Sequence, residues 1–165
     1  MTVKIMNSLN IITKIQVYSF EEGSEMVKKL ISEAKSATQK AYAPYSGFHV
    51  GAAILLENGE IISGNNQENA AYPSGLCAER VAVFAANASY PDVKVEAIAI
   101  AGFHDGEYTD TPCCPCGGCR QVLVEVENRF DQPIKIIMYG KKQVYEVESI
   151  KDLLPLSFGK ESLSE

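Results

Sequence analysis

Two short cysteine motifs contain the residue types best suited to chemistry. Cys77-Ala78-Glu79-Arg80 is followed by Pro115-Cys116-Gly117-Gly118-Cys119-Arg120. Three thiolates can hold a zinc ion and leave its fourth position open to water. Glu79, two residues past Cys77, is placed to move protons at that position. Cys116 and Cys119 are spaced to share one face of a helix start. Helix N-termini favour the thiolate over the thiol. Three thiolates on a divalent ion leave a net negative charge, and Arg80, before Arg120, is the side chain expected to temper it. Other readings of the same residues are a closed structural site, buried free thiols, or a redox dithiol of Cys116 and Cys119. Adjacent Cys113 and Cys114 make a closed four-cysteine site awkward, because neighbouring residues can hardly both reach one tetrahedral ion with the pair downstream.

The elements that must position these residues can be read from pattern. Ser19 or Ser24 can start a first helix, with Val27, Leu30, Ile31, Ala34 and Ala41 on one face and Pro44 as its end. Strands are predicted at residues 48–57, 60–64, 93–101, 133–139 and 143–147, the first two joined by an Asn58-Gly59 turn. A second helix is predicted over residues 76–87, capped by Ser74. A third has Pro115 in its first turn and its body at residues 120–128. Residues 65–75 and 102–114 read as loops, and residues 150–154 as a short helical turn. The alternation of strands and helices predicts an α/β fold: three layers, α/β/α, around a mixed, mostly five-stranded sheet.

The chain has 165 residues and suits one domain with one core. Its formal net charge of -6 argues against nucleic-acid binding, which needs clustered Lys and Arg. No apolar run is long enough to span a bilayer, so no membrane partner is expected. The first twenty residues lack the pattern of a signal peptide, and clustered cysteines fit a reducing cytoplasm. The expected division is an N-terminal extension without assigned role at 1–19, a single domain at 20–160 and a frayed tail at 161–165.

Four stretches together resemble the cytidine deaminases, in particular the small homotetrameric type acting on free nucleosides. They are residues 43–53 (APYSGFHVGAA), residues 64–80 (GNNQENA through LCAER), residues 115–121 (PCGGCRQ) and residues 153–159 (LLPLSFG). The resemblance implies one zinc per chain on Cys77, Cys116 and Cys119, with Glu79 as proton shuttle, the ligation and acid–base pattern of zinc deaminases. It implies that Asn66 and Glu68 bind the ribose 3′-hydroxyl and that Phe48 packs near sugar and base. Tyr72 and Phe158 would act across a subunit interface, with active sites shared in a homotetramer. The implied activity is hydrolytic deamination of cytidine and deoxycytidine to uridine and deoxyuridine in pyrimidine salvage. Two rival readings are a deaminase of a related substrate such as blasticidin S and a non-catalytic zinc-stabilised binding module. The first lacks the ribose motif at residues 66–70, and the second leaves Glu79 without a role.

Overall fold

Ser24 starts the first helix by accepting a hydrogen bond from Val27 N at 3.3 Å. The structure, a computed structural model, describes residues 7–163. Residues 1–6 of the expected extension and 164–165 of the expected tail lie outside the described residues. Helix α1 (Glu25–Thr38) buries Val27, Leu30, Ile31 and Ala34. Ser19 starts a separate 3-10 turn, Phe20–Glu22, in which the Glu22 carboxylate accepts from the Ser19 amide at 2.8 Å. Both candidate starts are therefore used. Helix α1 ends well before Pro44, because the amides of Gln39, Lys40 and Ala41 fall back on carbonyls three residues earlier.

The sheet contains the five expected strands and two short ones besides. Its strands are β1 (Gln16–Tyr18), β2 (His49–Leu56), β3 (Ile61–Asn65), β4 (Val95–His104), β5 (Glu107–Tyr108), β6 (Lys135–Tyr139) and β7 (Val144–Val147). Their order is β1-β7-β6-β4-β2-β3, with β5 hairpinned onto β4. The β4–β6 pair is parallel and the other pairs are antiparallel. The expected extension thus supplies an edge strand, β1, on β7. Tyr18 donates from its hydroxyl to the Glu146 carboxylate, which Lys135 also meets at 2.8 Å. The tail begins with a further 3-10 turn, Lys160–Leu163.

Helices α2 (Ala78–Ser89) and α3 (Gly117–Phe130) cover one face and α1 the other. Strand periodicity assigns the faces. Ala52, Ile54 and Leu56 of β2 pack with α2 and α3, while Ala53 and Leu55 pack with α1. The layers approach closely at two glycines. A Cβ on Gly51 would lie 2.0 Å from Ala34 O of α1, and one on Gly64 2.4 Å from Ala82 N of α2. A buried carboxylate secures the far end of α3: Glu127 accepts from Ile134 N at 2.7 Å and Ile150 N at 2.8 Å. Strands β3 and β4 both run antiparallel to β2, so both feed their following helices from the same sheet end. The N-termini of α2 and α3 meet there.

Candidate active site

All three predicted thiols sit at these helix starts. Cys77 is the N-cap residue of α2, Cys116 is the N-cap residue of α3, and Cys119 lies in the first turn of α3. Both caps have extended backbone, and neither side chain makes a capping bond to its helix backbone. This corrects the expected boundaries. Ser74 belongs to the 3-10 turn Tyr72–Ser74, and Pro115 precedes the cap instead of sitting in the first turn. The cysteines take positions usually held by Ser, Thr, Asn or Asp, and their thiols stay free to converge. Among the described residues, Cys77, Cys116 and Cys119 form the one cluster of metal-capable side chains, with sulfurs within 4.8 Å of one another.

The sulfur spacing fits zinc. Tetrahedral coordination with Zn–S bonds of about 2.3 Å requires sulfurs roughly 3.8 Å apart. Cys77 Sγ lies 3.8 Å from Cys116 Sγ, and Cys116 Sγ lies 3.4 Å from Cys119 Sγ. Arg80 places Nη2 at 3.8 Å from Cys77 Sγ, and its buried Nε has no partner. A cation with a spare buried donor beside three sulfurs suits a negatively charged metal–thiolate centre. Arg120 is engaged elsewhere, donating to Pro115 O at 2.9 Å and Leu153 O at 2.7 Å. Hydrogen bonding from Cys119, and then from Arg80, brings the Cys77 thiol down to about 5. Cys119 is shifted upward by donating to Cys77 and by burial.

Glu79 lies in the first turn of α2, buried beside the thiols. Burial holds its carboxyl above the usual carboxylate range, and the charge on Cys77 adds to the effect. A group so placed can hold a proton and pass it on.

A cavity of about 620 Å³ opens in front of Cys77, Cys116 and Glu79, with Cys113 and Cys114 also on its wall and Cys119 buried. Its wall includes Phe48, Asn66, Glu68 and Tyr72, so four of the five residues expected to bind substrate meet there. Phe158 does not line it. Phe158 is 59% exposed, and its backbone carbonyl accepts from Gln121 Nε2 of α3 at 2.8 Å.

Asn66 and Glu68 hold the cavity wall, a role sequence reasoning missed. Asn66 accepts from Val50 N at 2.7 Å and donates to Phe48 O at 2.9 Å. Glu68 accepts from Tyr45 N at 2.8 Å, Ser46 N at 3.2 Å and the Ser46 hydroxyl. The hydroxyl contact and then the amides keep Glu68 below the usual carboxylate range. Their loop is in turn tied down by paired Gln67–Leu76 bonds and by Glu68 N to Tyr42 O at 2.8 Å. Cys114 points its thiol at Pro112 O, 3.6 Å away. Cys113 packs toward the core, where burial pushes its thiol up to about 12. Neither joins the metal-capable cluster.

The model of the cytidine and deoxycytidylate deaminase zinc-binding region matches residues 24–130. The chain belongs to this deaminase family. A cytidine deaminase from Sporosarcina psychrophila is 42% identical over 84% of this chain and 95% of its own length. One from Halalkalibacterium halodurans is 38% identical over 82% and 96%. The crystal structure of cytidine deaminase from Burkholderia pseudomallei aligns with a TM-score of 0.67 at 40% identity, covering 79% of this chain and 98% of that one. The Mycobacterium tuberculosis cytidine deaminase aligns at 0.64 and 33% identity, covering 83% and 99%. The α/β architecture, the zinc requirement and membership among hydrolytic deaminases stand on these matches together with the thiol cluster.

Proposed function

We propose that this deaminase converts cytidine and deoxycytidine, with water, to uridine and deoxyuridine and ammonia. The observation carrying the proposal is the thiol triad whose Cys77 and Cys116 open, with Glu79, onto a cavity walled by Phe48, Asn66 and Glu68. Zinc held by Cys77, Cys116 and Cys119 would supply a water of lowered pKa. Glu79 takes a proton from the attacking water and gives it to ring nitrogen 3, making carbon 4 electrophilic. It then relays a proton to the departing amine, so a C–O bond replaces a C–N bond and ammonia leaves. Asn66 and Glu68 meet the ribose 3′-hydroxyl, and Phe48 flanks sugar and base. Arg80 tempers the charge of the three thiolates.

The proposal extends to a homotetramer in pyrimidine salvage. The exposed rings of Tyr72 at the cavity rim and Phe158 outside it support a site completed by neighbouring subunits. A cytoplasmic setting fits five unpaired cysteines. No helix among the described residues is long and apolar enough to cross a membrane.

A panel of cytidine, deoxycytidine, cytidine 3′-monophosphate, cytosine, adenosine and blasticidin S tests the substrate class. The two nucleosides should lose ultraviolet absorbance. The 3′-phosphate should be rejected, because Glu68 is an anion at the site proposed for the 3′-hydroxyl. Efficient turnover of the 3′-phosphate would contradict the Glu68 assignment. Exclusive turnover of blasticidin S would replace the proposed substrate.

A further inference from the structure

The cavity wall that carries Phe48 is a loop whose backbone is tied down by a series of hydrogen bonds. Glu68 takes the amides of Tyr45 and Ser46, Ser46 Oγ accepts from Phe48 N at 3.0 Å, and Asn66 holds Phe48 O and Val50 N. Gly47 N returns to Ala43 O at 3.0 Å. The Gly47 carbonyl is held from outside this set, by His104 Nδ1 at 3.0 Å. Gly47 has φ +65, and a Cβ there would lie only 3.7 Å from the His104 ring, so the imidazole lies close over this backbone. The same ring packs against Phe48, with centroids 5.8 Å apart and a tilt of 40°.

His104 is itself firmly based. It ends β4 and pairs with Glu107 in the hairpin to β5. That hairpin turns through Asp105 and Gly106, both with positive φ. The Tyr108 ring anchors it, packing on Phe103 at 5.2 Å and Tyr139 at 6.0 Å, with Lys35 Nζ 4.5 Å from its centroid. On the far side of the imidazole, Asp105 Oδ2 lies 3.3 Å from Nε2. A carbonyl oxygen only accepts, so in this contact His104 Nδ1 is the donor to Gly47.

We propose that His104 is a positioning residue for substrate, holding Gly47 and flanking Phe48 so that the aromatic wall is preformed when nucleoside enters. This rests on reading the cavity as a nucleoside site. The thiols and Glu79 are anchored on α2 and α3, away from this contact. Loss of His104 therefore weakens binding and leaves the chemical step intact.

Steady-state kinetics on cytidine test this with His104→Ala, His104→Asn and His104→Phe, each with zinc content and Tm measured. The Asn amide can place a donor near the Nδ1 position, whereas Phe keeps the ring and removes the donor. His104→Ala should raise KM about 2- to 10-fold, the worth of one net hydrogen bond, with kcat nearly unchanged. His104→Asn should restore most of the wild-type KM, and His104→Phe should not. A wild-type KM in His104→Ala, a KM rise that Asn does not reverse, or a loss carried by kcat would overturn the assignment. If the Ala variant does not fold, a KM in His104→Phe no higher than in His104→Asn overturns it. Fully zinc-loaded wild-type protein without cytidine turnover would instead overturn the nucleoside reading beneath it.

Discussion

At the scale of single residues, the chemistry follows from which donors face the thiols. The meeting of Cys77, Cys116, Cys119 and Glu79 in one place was legible in the sequence, because the residue types suited to metal ligation and proton transfer stand there at particular spacing. Arg80 was legible for the same reason, as a cation next in sequence to Glu79. The structure puts its Nη2 3.8 Å from Cys77 Sγ. Replacing Arg80 by Gln should lower zinc affinity about 10- to 100-fold, the usual cost of losing a group that supports a metal ligand. Competition with a chromogenic chelator measures this, and an unchanged affinity would remove Arg80 from the centre. The part Asn66 and Glu68 play in holding the cavity wall was not legible. Their partners, Phe48, Val50, Tyr45 and Ser46, lie 16 to 23 residues away in the chain. No local pattern announces a hydrogen bond across such a gap.

At the scale of elements, periodicity located the helices and main strands but misplaced where α2 and α3 begin. Ser74 and Pro115 are good helix-start residues by propensity, yet Cys77 and Cys116 occupy the caps. Convergence of the thiols at the two helix ends overrides that local preference. The close contact of α2 with β3 was also invisible, because Gly64 shows its meaning only once Ala78 and Ala82 lie against it. A Cβ there would fall 2.4 Å from Ala82 N and 2.7 Å from Ala78 O. Gly64→Ala should therefore push α2 outward, costing about 1–3 kcal/mol of stability and, with it, zinc affinity. Gly51→Ala strains α1 on the opposite face, so it should lower Tm while sparing zinc affinity. Thermal melts with chelator competition on both variants would separate these effects. Equal loss of zinc affinity in the two would contradict the separation.

At the scale of the whole molecule, the three-layer architecture was readable from the alternation of elements, but the two short added strands were not. Strands β1 and β5 are too short to show periodicity, and each exists through pairing with a partner strand. The sheet order sets β1 at the edge opposite β3, remote from the cavity. Removing residues 1–18 uncovers β7 and leaves the buried Glu146 carboxylate without Tyr18. Such a truncation should lower Tm by about 2–4 °C for each kcal/mol lost and leave cytidine kinetics unchanged. A raised KM with unchanged Tm would place the N-terminal segment at the site instead.

The central claim is that Glu79 moves the protons while the three thiols alone hold the metal. It is tested most directly by Glu79→Gln, with zinc per chain and cytidine turnover measured on the same sample as wild type. One zinc per chain in both proteins, with turnover reduced by a factor of roughly 10² to 10⁴ in the variant, is the predicted result. Near-normal turnover by Glu79→Gln, or loss of its zinc, would contradict it.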